Sequence, residues 1–301
     1  MSHPMPPRLK GLRGVALRTS AFEESVEFYA GPWGLEIVER TESSAYLRAT
    51  GDEHHILELH ASEQNGLDHI TFAAPDPADV DDCAEWVRQE GARIIDEPAS
   101  VDRPGGGYAF RFADFENRVI EVSANVFAVA PRTASGPVPS KVAHCVLNTT
   151  DIDVAVASYT RLLGLRVSDW SENKMVFLRS TADHHVIAFN QHEWAAPNHV
   201  AYEVSGLDAY LRSIGRLKVA GHETAWGPGR HGPGDNAFAY YVDPAGLVCE
   251  VTAEVVQIDE ETWMPRVWPR TADLSDQFRT AGPPTPYVRS HMGGVADPGW
   301  A

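Results

Sequence analysis

The chain has 301 residues, 43% apolar and 22% charged, which is enough for two globular domains of ordinary size. Its 42 acidic residues against 25 basic ones leave a formal charge of −17, which argues against nucleic acid and against an anionic membrane surface as partner. No apolar run nears the ~20 residues of a membrane span, the polar start MSHPMPPRLK does not read as a signal peptide, and Cys83, Cys145 and Cys249 fit neither a disulfide framework nor a cysteine-based zinc site. A reduced, cytoplasmic protein is the resulting expectation.

In chain order, a short strand ending near Thr19 leads into a helix whose stripe is Phe22, Val26 and Tyr29, opened by Ser20 with Glu23 three residues on, the pattern of a capping box. Asp76 before Pro77 predicts a second helix start within HITFAAPDPADVDDCAEWVRQEG. PRTASGPVPS, residues 131–140, reads as an exposed linker. A third helix follows, with apolar residues at Ile152, Val156, Tyr159 and Leu163. HVAYEVSGLDAYLRSIG begins the last strand-and-helix unit.

The chain repeats itself. At an offset of 130, Gly14 falls on His144, Tyr29 on Tyr159, Gly34 on Gly164 and His69 on His199; at 129, Asp114 falls on Asp243 and Glu121 on Glu250. The predicted fold is α+β: two tandem modules, each of two β-α-β-β-β units around a pocket. Residues 1–130 form the first module, 131–140 the linker, 141–262 the second module and 263–301 a tail. The tail carries Trp263, Trp268, Tyr287 and Trp300 and has no counterpart in the first module. Its aromatics predict packing against a neighbouring subunit or over a pocket mouth rather than partial disorder.

His144 and His199 occupy corresponding strands of the two units of the second module, and Glu250 its final strand. Two neutral imidazoles and a carboxylate on adjacent strands suit a divalent metal with open coordination positions, as iron(II) oxygen chemistry requires. In the first module Gly14 stands where His144 does, so that triad is incomplete and a single metal per chain is expected.

With these residues, the duplicated modules resemble the vicinal oxygen chelate superfamily, and within it the two-module type I extradiol dioxygenases, over roughly residues 8–256. The resemblance implies a non-haem metal, Fe(II) ahead of Mn(II), held by His144, His199 and Glu250. It implies O2-dependent cleavage of a catechol-type aromatic diol beside its hydroxyls, in the catabolism of aromatic compounds. His185 falls where the family keeps its acid–base histidine, and alternation along HHVIAF is expected to aim it, rather than His184, at the metal. His231 and Tyr240 fit the family's spacing of a loop histidine, a tyrosine nine residues on and the metal glutamate ten further; Tyr241 does not. Phe177 is either a pocket wall or plain core, and Asp235 and Asn236 either position His231 or a water, or only shape the turn. Arg179 and Arg230 are offered as partners for a substrate carboxylate or as solvated surface. Cys145 and Cys249 adjoin ligands and are expected to face the core. Homo-oligomerisation is common in such enzymes. The alternatives are a metal-dependent isomerase or lyase of the superfamily and a non-catalytic module that sequesters an aromatic ligand.

Overall fold

The computed structural model describes residues 8–132 and 136–296. In the first half, β1 (Gly11–Thr19), α1 (Phe22–Ala30), β2 (Glu36–Arg40), β3 (Ser44–Arg48) and β4 (Leu57–Ala61) make one unit. β5 (Gly66–Ala73), α2 (Pro77–Gln89), β6 (Arg93–Ser100), β7 (Tyr108–Ala113) and β8 (Val119–Ala124) make the next. The second half repeats this with β9 (Lys141–Thr149), α3 (Ile152–Leu163), β10 (Arg166–Ser171), β11 (Met175–Arg179) and β12 (Ile187–Gln191). β13 (Ala196–Glu203), α4 (Leu207–Val219), β14 (Trp226–Arg230), β15 (Ala237–Val242) and β16 (Val248–Ala253) complete it. Each half is one sheet, in the order β2-β3-β4-β1-β5-β8-β7-β6 and, correspondingly, β10-β11-β12-β9-β13-β16-β15-β14. The first strands of paired units, β1 with β5 and β9 with β13, run antiparallel at the centre. The four β-α-β-β-β units expected from the repeat are present.

The apolar stripes place the helices. Phe22, Val26 and Tyr29 of α1 and Ile152, Tyr159 and Leu163 of α3 are buried, and Val156 is half-buried. Asp76 caps α2, its side chain accepting from the amides of Ala78 and Asp79. The capping box at Ser20 does not form: α1 begins a residue later, with Ala21 at its N-cap. The Ser20 amide donates to Asn65 Oδ1, the Ala21 amide to Thr19 Oγ1, and Glu23 pairs with Arg40 instead.

One apolar core runs through both halves. Trp33 reaches across to the rings of Tyr202 and Tyr241, 5.5 and 5.9 Å away. The repeat shows its purpose at this interface. Tyr29 donates to Asp243 Oδ2 at 3.1 Å, and its repeat mate Tyr159 donates to Asp114 Oδ2 at 3.0 Å. Each helix thus satisfies a buried carboxylate of the opposite half. Burial pushes Asp243 up to about 6, although the Leu247 amide and the Tyr29 hydroxyl oppose it.

The described part of the segment expected as an exposed linker is tied down. The Thr50 and Gly51 amides donate to the carbonyls of Pro139 and Ser140, Ser213 Oγ donates to that of Pro137, and Pro139 is buried. The tail folds onto its own second half. β17 (Val267–Trp268) adds to β10, α5 (Ala272–Ser275) follows, and α6 (Pro286–Gly293) packs on β13, β15 and β16. Trp300 lies outside the described residues. Among the described residues no helix is long and apolar enough to cross a membrane.

Tyr29→Phe and Tyr159→Phe are each expected to destabilise the protein by about 1–2 kcal/mol, because each leaves a buried carboxylate short of a donor. Urea denaturation measures this; an unchanged midpoint for both would remove the reciprocal pairs from the account of the interface.

Candidate active site

β9, β13 and β16 are neighbours, and Ala201 lies opposite both His144 and Glu250 in register. Residues in register project from the same face, so His144, His199 and Glu250 converge, with only the Ala201 methyl between two of them. Glu250 Oε2 lies 3.2 Å from His144 Nε2 and 3.2 Å from His199 Nε2, and all three side chains are buried. Donor atoms bound at right angles to a metal at about 2.1 Å sit about 3 Å apart, so this set fits a divalent ion. Burial alone would raise the Glu250 carboxyl; the two imidazoles hold it well below the usual carboxylate range. Burial lowers His199, although the Glu250 carboxylate beside it opposes this.

Hydrogen bonds orient the donors, as metal-binding side chains require. His199 Nδ1 donates to Asn198 Oδ1 at 2.7 Å; Asn198 Nδ2 donates to Asn148 Oδ1 at 3.0 Å, and Asn148 Nδ2 to the Met292 carbonyl at 2.7 Å. Asn236 Nδ2 bridges Glu250 Oε1 at 3.3 Å and Thr252 Oγ1 at 2.8 Å. His144 Nδ1 is buried without a protein partner, so what Nε2 binds decides that ring's tautomer.

The donors open into a cavity of about 200 Å³. One wall is His185, Phe177 and Met175, another Trp226, His231 and Tyr240, and the tail contributes Pro269, Leu274 and Met292. Tyr240 is opposite Glu250 in the β15–β16 ladder. Its hydroxyl lies 3.0 Å from His231 Nε2, while His231 Nδ1 lies 3.1 Å from the Ser275 carbonyl. A carbonyl only accepts, so His231 carries its proton on Nδ1 and accepts from Tyr240 at Nε2. Burial lowers His231 to about 4 and, with Glu250 beside it, raises Tyr240 well above its ordinary value. Tyr241 points the other way, against Trp33, with its hydroxyl taking one from Thr224.

His184 and His185 stand in the bend before β12, not in the strand, so the turn and not strand alternation separates them. His185 lines the cavity and lies 4.2 Å, ring to ring, from His144; His184 is fully buried behind it. Asn236 borders the cavity, but Asp235 is not brought into it. Asp235 has φ +47 and bridges Arg230 Nε and Nη2 at 3.0 and 3.2 Å. Arg230 also pairs with Glu254, and Arg179 is engaged by Glu260, so both are committed away from the cavity. Cys145 and Cys249 are core.

Sequence reasoning missed Asn198, though a signal existed: Asp68 precedes His69 in the repeat and accepts from its Nδ1 at the same 2.7 Å. Trp226, Leu274, Met292 and the Ser275 carbonyl carried no motif.

The first half holds the same sites closed. A Cβ on Gly14 would meet the Ile56 carbonyl oxygen at 2.9 Å. Glu121 is bound by Arg103 and by Arg111 Nε at 2.8 Å, and the remaining cavity is about 10 Å³. Burial opposes charge on His69, but Asp68 and Glu58 raise it to about 9, and an imidazolium is no ligand.

Residues 11–122 and 141–251 each match the model of the Glyoxalase/Bleomycin resistance protein/Dioxygenase superfamily. A manganese-dependent 2,3-dihydroxybiphenyl 1,2-dioxygenase of Geobacillus genomosp. 3 is 26% identical over 283 residues, 84% of this chain and 88% of that one. Metapyrocatechase 2 of Cupriavidus necator is 32% identical over 119 residues, 39% of this chain and 37% of that one. The crystal structure of a manganese(II)-bound glyoxalase from Novosphingobium aromaticivorans superimposes with a TM-score of 0.92 at 37% identity, covering 97% of both chains. With both of its halves matched, and with the duplicated sheets and converging donors that go with them, the chain belongs to the Glyoxalase/Bleomycin resistance protein/Dioxygenase superfamily.

Proposed function

We propose that the protein is an extradiol ring-cleaving dioxygenase. It opens a catechol-type aromatic diol with O2 at a non-haem iron(II) held by His144, His199 and Glu250. The observation that carries this reading is the set of proton-handling groups around the donors: His185 on one wall, and Tyr240 hydrogen-bonded to His231 on the other. The dioxygenase relatives support it. We also place it in the cytoplasm, where its three free, buried cysteines stay reduced, and expect a homo-oligomer.

When bound, a divalent metal supplies Lewis acidity that lowers the pKa of a diol hydroxyl and a point at which both reactants meet. The apolar wall of Phe177, Met175, Trp226 and Leu274 clasps the ring and excludes water. Tyr240, kept protonated by burial, gives its one O–H to His231 Nε2 in the free site and turns it to the ionised diol oxygen when the diol binds. His185, its charge disfavoured by burial, accepts a diol proton and returns it to an oxygen of the ring-opened product. Both atoms of O2 enter that product.

The glyoxalase relative favours one second reading, a metal-dependent isomerase or lyase, and it and the Geobacillus enzyme favour manganese(II) in the site. Anaerobic reconstitution with iron(II) or manganese(II), followed by oxygen uptake with a panel of catechols, separates these. One O2 consumed per diol, with a yellow product, is the expected result. Substrate turnover without oxygen uptake establishes the isomerase or lyase instead.

Six variants check the assignments. His185→Phe is expected to retain metal and diol binding and to lower turnover by roughly 10²-fold, the scale of lost acid–base help. Tyr240→Phe slows cleavage and alters its pH profile while Tyr241→Phe is mild; equal effects would end the distinction. Metal analysis should give one ion per chain, lost in His144→Ala and Glu250→Ala and kept in His69→Ala. Two tight ions per chain would contradict the closed first half.

A further inference from the structure

His184 does not line the cavity, yet it is fully buried and touches the residue that does. Its Nδ1 lies 3.0 Å from His185 Nδ1, and its Nε2 lies 3.1 Å from Asp169 Oδ2 on β10. Asp169 is fully buried as well. It accepts the indole N–H of Trp268 at 2.7 Å and the Arg266 amide at 2.9 Å, both from the tail. Burial would raise this carboxyl, but the hydrogen bonds from His184, Arg266 and Trp268 hold it below its ordinary value.

The protons then have one arrangement. Burial disfavours charge on His184, and in the neutral ring a carboxylate partner, which only accepts, places the proton on Nε2 and leaves Nδ1 to accept. His185 therefore carries its proton on Nδ1 and keeps its Nε2 lone pair free. That nitrogen hydrogen-bonds no described protein group, on a ring that borders the cavity.

The first half is an internal comparison. It has the same histidine pair, His54 and His55, with Nδ1 atoms 3.0 Å apart. Glu39 faces Tyr46 there in the ladder as Asp169 faces Phe177. Yet Glu39 is exposed and makes no hydrogen bond to His54, and His55 Nε2 is spent on Glu58. The histidine pair alone is thus part of the duplicated scaffold. The carboxylate and the tail indole behind it occur in the half with the metal donors.

We infer that Asp169 and His184, seated by Trp268, are positioning residues that hold His185 as its Nδ1–H tautomer with Nε2 presented to the substrate. The inference rests on the ring-cleavage reading for its kinetic arm only.

The test uses the full chain, reconstituted with metal. His184→Phe and Asp169→Ala are expected to lower kcat about 10-fold with KM for the diol and metal content near wild type. His184→Gln has an amide that can donate to Asp169 and an oxygen that can accept from His185, so it should retain kcat within about 3-fold. In a His185→Phe background, His184→Phe should cost less than about 2-fold, since it acts through the ring already removed. A residue that only supports the fold would cost as much in either background. Independently, 15N NMR of the zinc-loaded chain should give His185 as the Nδ1–H tautomer in the wild type and a mixture in His184→Phe. Should that variant fail to fold, Trp268→Phe, which removes the indole N–H and keeps a smaller aromatic ring, carries the test: a several-fold lower kcat at unchanged KM supports the inference. Wild-type kcat in both His184→Phe and Asp169→Ala overturns it, as does an undiminished effect in the His185→Phe background, His184→Gln no better than His184→Phe, or wild-type kcat and tautomer in Trp268→Phe. If the wild type opens no diol, the ring-cleavage reading fails and the tautomer measurement still decides the positioning role.

Discussion

A carboxylate with no exposed surface sits on the last strand of each half, and its desolvation sets what must surround it. Taking an unpaired carboxylate out of water costs several kcal/mol, so each half has to bring positive charge or donors to it. In the first half Glu121 receives the guanidinium groups of Arg103 and Arg111, which fill the space. In the second, Glu250 receives two imidazoles and the Asn236 amide, and space remains beside them. The duplication has answered one electrostatic demand in two ways. One gives a closed, ion-paired module, the other a donor set that fits a divalent cation.

What the tail adds is precision in the open half. It was expected to lie against a neighbouring subunit or over a pocket, and it lies over the pocket of its own chain. Its polar anchors on the site include Trp268 on Asp169, the Ser275 carbonyl on His231 and the Met292 carbonyl on Asn148. The Ser275 carbonyl meets a cavity histidine directly, and each of the other two anchors reaches one two hydrogen bonds further on. Ring tautomers are set by the partner of the second nitrogen, so a segment beyond the last strand of the module bears on which atom of these imidazoles is available.

The two halves are held by reciprocity. Because Tyr29 and Tyr159, and Asp114 and Asp243, are repeat mates, a contact formed once is formed twice about the pseudo-twofold relation. Loss of the tyrosine leaves a buried acid one donor short and loss of the acid leaves a buried hydroxyl without its acceptor, which makes the interface specific rather than merely apolar.

The repeat alone determined a great deal. Matching Gly14 with His144 and Glu121 with Glu250 predicted the four β-α-β-β-β units and the incomplete first triad, since strands with a common offset occupy common places in a sheet. The three donors were legible for the same reason. Alternation also separates Tyr240 from Tyr241 in the structure, because both lie within one regular strand. It did not govern His184 and His185, which precede their strand in a bend; the capping box read at Ser20 is lost because that residue's amide is claimed by Asn65 from another loop. Asp235, Arg230 and Arg179 could be placed near the site by spacing, yet ion pairs with one another and with Glu254 and Glu260 take them elsewhere. The closure of the first site by Arg103 and Arg111, and the tail's grip on Asp169, His231 and Asn148, were decided only by tertiary structure. They join residues up to about 140 positions apart through single hydrogen bonds and ion pairs, and such contacts have no period for a sequence to display.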